Sequence, residues 1–217
     1  MDLWKQKVLL FDLDGTLTDS ARGIIRSAQY MQKKMGQDVW TAEALRFLVG
    51  PPLRDSFREA FGMKDAEVEQ AILYFRERYF SVGLFENAVY DGIVEMLQAL
   101  QTSGKRLAVA TSKHQTTAVR ILEHFGLAKY FEVIGGDDPT SSRNTKAKVV
   151  AHVLKEMHVA PQDAVMIGDR KYDIEGAHAL GVQAVGVLYG YGSAEEFAAC
   201  GADAVVKTPQ DVAELFR

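Results

Sequence analysis

Short apolar runs alternate along most of the chain with longer segments in which apolar residues recur every three or four positions. The runs predict buried β-strands at residues 8–11, 106–110, 131–134, 164–167, 183–188 and 204–206. The periodic segments predict helices at 91–102, around 114–125, and at 145–157, 172–180, 193–199 and 209–216. Strands that alternate with helices indicate the α/β class, with a parallel sheet covered by helices on both faces.

Residues 19–88 have a different pattern. Helical periodicity predicts helices at 19–35, 41–48, 53–61 and 65–80, and no strand is expected between them. Aromatic side chains are dense in this part of the sequence. We therefore predict an α/β core domain formed by residues 1–18 and 89–217, interrupted by a helical domain at 19–88.

Composition narrows the class of protein. The 217 residues are 47% hydrophobic and 25% charged, as in ordinary globular proteins, and the net charge of −4 gives no basic footprint for a nucleic-acid polymer. No apolar run approaches the roughly 18 residues of a membrane span, and the first residues lack the apolar segment of a signal peptide. Cys200 is the only cysteine, which excludes an intramolecular disulfide and a cysteine-rich zinc site. We expect a cytoplasmic protein without a membrane partner.

Oxygen-bearing side chains follow three of the predicted strands. They are Asp12 and Asp14 after the first strand, Thr111 and Ser112 after the second, and Asp169 and Asp173 after the fourth. The carboxyl ends of parallel strands share one edge of a sheet, so these groups should converge there. Several carboxylates without a nearby histidine or cysteine favour Mg²⁺ over Zn²⁺.

The segment around Asp12 and Asp14 allows other interpretations when it is taken alone. An Asp-Gly pair after an apolar run is a common strand–turn–helix junction. An EF-hand is excluded, because that loop needs glycine at its sixth position and glutamate at its twelfth. Counted from Asp12, Gly15 is fourth and Gly23 is twelfth.

Taken together, these segments resemble the haloacid-dehalogenase-like hydrolases. The resemblance rests on Asp12-Leu13-Asp14-Gly15-Thr16, on Thr111 after its strand, on a lysine that opens a later helix, and on Gly168-Asp169-Arg170-Lys171-Tyr172-Asp173. It covers nearly the whole chain and is greatest for the phosphoglycolate-phosphatase-like group. It implies a three-layer Rossmann-like core with an all-α cap, which the insert at 19–88 would provide.

The resemblance also implies roles for the acidic residues. Asp12 would attack phosphorus to form an aspartyl-phosphate, and Asp14 would act as general acid and then as general base. Mg²⁺ would be held by Asp12, by the backbone carbonyl of Asp14 and by Asp169, with Asp173 in support. Thr111 and Ser112 would bind the phosphoryl oxygens, although they could instead cap the following helix.

Two basic residues complete the predicted site. The active-site lysine would be Lys146, in the first turn of its helix, with Lys148 as the competing candidate. Arg54 follows a stiff Gly50-Pro51-Pro52 turn and would bind a carboxylate or second phosphate of the substrate. An arginine at this position argues against an imine-forming cap lysine, as in phosphonoacetaldehyde hydrolase.

The predicted function is a Mg²⁺-dependent phosphatase that acts on a small phosphorylated metabolite such as phosphoglycolate or a nucleotide, the latter as a 5'-nucleotidase. A sugar-phosphate mutase and a pyrophosphatase on the same scaffold are alternatives. A further alternative is a nucleotide-binding module without turnover, because Gly190-Tyr191-Gly192 begins like a dinucleotide fingerprint. The fingerprint is incomplete, since Glu195 stands at the position of its third glycine. The protein is expected to be a monomer or a homodimer.

Overall fold

The computed structural model describes residues 5–51, 53–138, 140 and 142–217. The chain divides into two compact units, one formed by Met1–Thr18 with Val89–Arg217 and the other by Asp19–Ala88. The first, here called the α/β unit, contains the parallel sheet, and the second, the helical unit, contains three α-helices within its described residues. That the two units act as a catalytic core and a cap stays a prediction.

The strands are β1 (Val8–Phe11), β2 (Thr18–Asp19), β3 (Ala88–Val89), β4 (Arg106–His114), β5 (Val133–Asp137), β6 (Ala164–Gly168), β7 (Gln183–Val187) and β8 (Ala204–Val206). The α-helices are α1 (Ala21–Lys34), α2 (Leu53–Phe61), α3 (Asp65–Ser81), α4 (Ile93–Thr102), α5 (Gln115–His124), α6 (Lys146–Met157), α7 (Lys171–His178), α8 (Ala194–Cys200) and α9 (Pro209–Leu215).

Six strands form a parallel sheet in the order β5-β4-β1-β6-β7-β8. Strand β1 lies in the interior of this sheet, where Phe11 is in register with Val109 of β4 and Ile167 of β6. All four residues of β1 are buried, as expected for a strand covered on both faces. The predicted α/β class with a parallel sheet and a helical insert is confirmed, and the carboxyl ends of β4, β1 and β6 are adjacent.

Alternate residues of the central strands supply the core between the sheet and its helices. Val8 and Leu10 belong to one buried cluster, together with Val149, Val150 and Val153 of α6. Phe11 makes an edge contact with Phe131, with ring centroids 6.2 Å apart. This packing fixes strand β1, which Asp12 follows, and helix α6, which begins with Lys146.

The helical unit has an aromatic core of its own. Phe57 of α2 contacts Phe75 of α3 edge-on at 6.2 Å, and Phe75 stacks on Tyr79 at 5.4 Å. The prediction of a helix at 41–48 is wrong. The structure has a 3₁₀ helix at Arg46–Leu48, in which N–H groups donate to carbonyls three residues earlier in the chain. An eight-residue segment is too short to form a stable α-helix without strong packing.

Within the described ranges, no helix has the length and apolar character needed to cross a membrane.

Candidate active site

Asp12 and Asp14 lie immediately after β1, at the carboxyl edge of the sheet. The Asp12 N–H donates to the carbonyl of Ile167 at 2.9 Å, so this residue remains bonded to β6. Asp12 Oδ1 accepts a hydrogen bond from the Leu13 N–H at 2.7 Å, which orients the carboxylate. Gly15 then turns the chain with φ of 81°, a conformation that favours glycine.

Lys146 forms ion pairs with Asp12, which follows β1, and with Asp173 of α7. It is the first residue of α6, and its Nζ lies 3.0 Å from Asp12 Oδ1, 2.7 Å from Asp173 Oδ1 and 3.0 Å from the Ala110 carbonyl. Its side chain is only 4% exposed. Lys148 is exposed and its Nζ donates to Asn144 Oδ1 at 3.1 Å. The structure therefore places Lys146, and not Lys148, among the acidic groups.

Three carboxylates form a compact acidic cluster. One oxygen from each of Asp12, Asp169 and Asp173 lies within 4.8 Å of the others. Asp169 is fully buried, and Asp173 accepts a hydrogen bond from the Arg170 N–H at 3.0 Å. Such a group of oxygen atoms could hold a metal ion.

The electrostatics of the cluster follow from its burial. Burial raises the pKa of Asp12, and the charge of Asp173 adds to this effect, while Lys146 opposes it. Burial, followed by the charges of Asp173 and Asp12, holds the pKa of Asp169 well above its ordinary value. Burial alone would lower the pKa of Lys146, but the two carboxylates beside it raise that pKa overall. Lys146 therefore supplies positive charge to the group of three carboxyl residues.

A bulge in β4 brings three polar residues to the same edge. The register of β4 against β5 shifts between Ala110 and His114, which is an arrangement common beside active sites. Thr111 is buried and its hydroxyl bonds the Asp12 side chain, whereas Ser112 is exposed. Lys113 Nζ lies 2.6 Å from Asp14 Oδ2. The ion pair between Lys113 and Asp14 was not predicted, although the position of Lys113 directly after Thr111-Ser112 was a usable signal.

Arg54 lies in the helical unit, near the start of α2, and pairs with a residue of that unit. Its Nη2 donates to Glu69 Oε2 at 3.0 Å and its Nη1 bonds Glu69 Oε1, and both side chains are about half exposed. Pro52, part of the predicted stiff turn, lies outside the described residues. The proposed contact of Arg54 with substrate stays a prediction.

Comparison with known proteins shows which family and which fold the chain matches. The family model described as haloacid dehalogenase-like hydrolase matches residues 9–187. A tyrosine-protein kinase, PtkA of Mycobacterium tuberculosis, is 44% identical over 189 residues, which are 87% of this chain and 64% of the kinase. The chain thus spans less than two thirds of the length of that relative.

Two further relatives match over most of their own length. A 5'-nucleotidase of Pseudomonas aeruginosa is 41% identical over 88% of this chain and 86% of that enzyme. A phosphoglycolate phosphatase of Agrobacterium fabrum is 34% identical over 84% of this chain and 80% of that enzyme. Among solved structures, a predicted phosphatase from Clostridium acetobutylicum superposes with a TM-score of 0.92 at 41% identity, covering 96% of this chain and 97% of that one.

Proposed function

The chain belongs to the haloacid dehalogenase-like hydrolases, and from this premise we propose that it is a Mg²⁺-dependent phosphatase that cleaves a small phosphate monoester through an aspartyl-phosphate on Asp12. The observation that carries the proposal is the position of Lys146 Nζ between the carboxylates of Asp12 and Asp173, in the same cluster as Asp169. A nucleophilic carboxylate needs adjacent positive charge before it can approach a phosphate dianion.

The acidic cluster fits a hard divalent cation. Its donors are carboxylate oxygens, which favour Mg²⁺ over Zn²⁺, and bound positive charge would offset the burial and the carboxylate repulsion that together raise the pKa of Asp169. In our proposal the carboxylates of Asp12 and Asp169 and the backbone carbonyl of Asp14 hold the ion, and Asp173 supports the site through Lys146. When bound, Mg²⁺ neutralises charge between the nucleophile and the phosphate.

The first chemical step uses Asp12 as nucleophile and Asp14 as general acid. A carboxylate oxygen of Asp12 forms a bond to phosphorus while the bond to the leaving oxygen breaks, and protonated Asp14 gives its proton to that oxygen. Asp14 Oδ1 is buried without a hydrogen-bond partner among the described residues, while Oδ2 is paired with Lys113. The ion pair with Lys113 therefore fixes the orientation of the Asp14 carboxyl group.

The second step reverses the role of Asp14. As a carboxylate, Asp14 takes a proton from the water that attacks the aspartyl-phosphate, which releases inorganic phosphate and restores both acids. Lys146 offsets charge on the phosphoryl group throughout, and Thr111 with Ser112 would bind its oxygens. Ser112 is exposed at the edge of the sheet, which suits a group that contacts an incoming substrate.

For the substrate we propose a nucleoside 5'-monophosphate first and phosphoglycolate second. This order follows the relatives: the 5'-nucleotidase is 41% identical and the phosphoglycolate phosphatase 34% identical over similar shares of their lengths. Both compounds are phosphate monoesters, so the same chemistry serves either one.

The test is a phosphate-release assay with Mg²⁺ on nucleoside monophosphates, phosphoglycolate, pyrophosphate and hexose phosphates. We expect release from at least one monoester, loss of activity with EDTA, and loss in D12N. The control is D163N, because Asp163 is exposed at the opposite end of β6. Normal turnover in D12N would contradict the nucleophile, and normal turnover in EDTA would contradict the metal. Isomer exchange among hexose phosphates with little free phosphate would indicate a mutase.

A second candidate is phosphoryl transfer to a tyrosine side chain. The observation that favours it is the 44% identity to PtkA, which is named a tyrosine-protein kinase. An aspartyl-phosphate could pass its phosphoryl group to a phenol in place of water. Incubation with labelled ATP and a tyrosine-rich polymer tests this function, and label on the polymer that D12N abolishes would support it.

A further inference from the structure

Residues 189–192, Tyr-Gly-Tyr-Gly, follow β7 and lie against Asp169; we call them the 189–192 loop. The Tyr191 N–H donates to Asp169 Oδ2 at 3.0 Å. The other oxygen, Oδ1, accepts a longer hydrogen bond of 3.4 Å from the Thr16 hydroxyl. A backbone amide cannot rotate away as a side chain can, so this loop fixes the plane of a fully buried carboxylate.

The two glycines of the loop allow this close approach. A Cβ on Gly190 would collide with the Gly15 carbonyl oxygen and with Asp169 Cβ, and a Cβ on Gly192 would collide with the Asp169 carbonyl oxygen. The loop backbone thus packs directly on Asp169 and on the turn after Asp14. The Gly-Tyr-Gly spacing has this structural use, which differs from the dinucleotide fingerprint that it resembles in sequence.

Tyr189 adds a polar group to the same place. Its ring contacts Tyr90 edge-on at 5.4 Å, and its hydroxyl is buried with no hydrogen-bond partner among the described residues. Burial, together with the charge of Asp169, raises the pKa of Tyr189, so the phenol remains neutral and keeps its proton. The loop therefore bonds Asp169 through the Tyr191 N–H and also carries a neutral, buried phenol.

We propose that the 189–192 loop is the positioning element of the metal site, with the Tyr191 N–H orienting Asp169 toward Asp12 and Asp173. The inference rests on the proposed function, because it takes Asp169 as a metal ligand. Residues that orient a metal ligand commonly change metal affinity about 10- to 100-fold when they are altered. The loop should therefore control how tightly the cation binds more than the chemistry that follows.

Binding of Mn²⁺ to the full chain, followed by electron paramagnetic resonance, tests this directly. Y191P removes the N–H donor and should weaken Mn²⁺ binding by about tenfold or more. Y191F keeps both the N–H and the ring, and serves as the matched control, with affinity close to that of wild type. Because the loop acts through the metal, raising Mg²⁺ to saturation should restore kcat in Y191P, whereas general damage to the site would not be rescued.

A second variant covers the case in which Y191P does not fold. G190A retains the Tyr191 N–H but displaces the loop from Asp169, and it should also weaken Mn²⁺ binding about tenfold in protein that circular dichroism shows to be folded. Wild-type affinity in both folded variants, or in G190A alone when Y191P is unfolded, would overturn the inference. If wild type itself binds no Mn²⁺, or if D169N binds as wild type does, the proposed metal site fails instead.

Discussion

The α/β unit and the helical unit bury different kinds of side chains. The α/β unit buries Lys146, Asp169 and Asp173, whereas the helical unit buries aromatic residues such as Phe57 and Phe75. Burying charge costs several kcal/mol per ion unless partners compensate it, so a buried group of charges is rarely kept for stability alone. Buried aromatic residues, by contrast, contribute directly to stability.

Ion pairs in the helical unit lie mainly at its surface. Arg54 with Glu69 and Arg58 with Asp65 are exposed pairs, each of which contributes little to stability. Glu86 differs, because both Arg26 and Arg78 bond it and its side chain is 15% exposed. The comparison predicts that altering buried charge in the α/β unit changes both chemistry and stability, while altering the packing or the partly buried Glu86 of the helical unit changes stability.

The largest expected effect comes from Lys146. K146M keeps most of the apolar volume but removes the ammonium from Asp12 and Asp173. We expect activity to fall about 100-fold or more and the free energy of unfolding at neutral pH to fall by about 3–5 kcal/mol, because two buried carboxylates lose their cation. Phosphate release and urea denaturation measure the two effects. K148M is the control, and an equal loss in K148M would contradict the assignment of the lysine.

A cavity in the aromatic core should act on the helical unit. F57A removes a fully buried ring and should lower the free energy of unfolding by about 3–5 kcal/mol. Hydrogen exchange should rise in α1 and α3 while amides of β1 and β6 keep their protection, because the two units have separate cores. Equal loss of protection in β1 and β6 would show that the units unfold together.

Glu86 should give a smaller, pH-dependent effect. Its hydrogen bonds to Arg78 and then to Arg26 lower its pKa from 4.5 to about 2. A lowered folded-state pKa means that the stabilisation is complete above pH 4.5 and is lost as pH falls toward 2. E86Q should therefore lower the free energy of unfolding by about 1–2 kcal/mol at neutral pH. In acid, the difference in unfolding free energy between E86Q and wild type should become smaller. A difference that stays constant down to pH 2 would contradict this explanation.

The smallest effect on stability is expected at Arg54. Both R54A and E69A break one exposed ion pair and should each change the free energy of unfolding by less than about 1 kcal/mol. If Arg54 also binds the substrate, R54A will raise KM while E69A will not. Equal KM values in R54A and wild type would remove Arg54 from the predicted site.

The strands and the acidic residues could be predicted because each signal is local. A four-residue apolar run followed by Asp12 and Asp14 marks both a buried strand and its carboxyl end. The position of Lys113 after Thr111-Ser112 was a signal that it lies at this edge of the sheet. Its ion pair with Asp14 was harder to predict, because the pair depends on a bulge that carries β4 on to His114 through polar residues.

Other features depend on packing that short sequence patterns do not encode. The choice between Lys146 and Lys148 depends on which side of α6 faces the sheet, and Gly176 makes room for Lys146 there. The contact of Tyr191 with Asp169 joins residues 22 positions apart through a loop without helix or strand periodicity. The sequence therefore indicated the convergence of the acidic residues, which the structure has, but not the groups that orient them.

The measurement that tests the central claim most directly is capture of the aspartyl-phosphate. D14N keeps Asp12 but lacks both the acid of the first step and the base that activates water. With p-nitrophenyl phosphate, whose leaving group departs without a proton, only the second step should be blocked, so the intermediate should accumulate until the reaction is quenched in acid. Peptide mass spectrometry should then find a phosphoryl group on Asp12 that hydroxylamine removes. The contradicting result is an unmodified Asp12 in both D14N and wild type quenched at steady state. Wild type must release phosphate from the same substrate for this result to count.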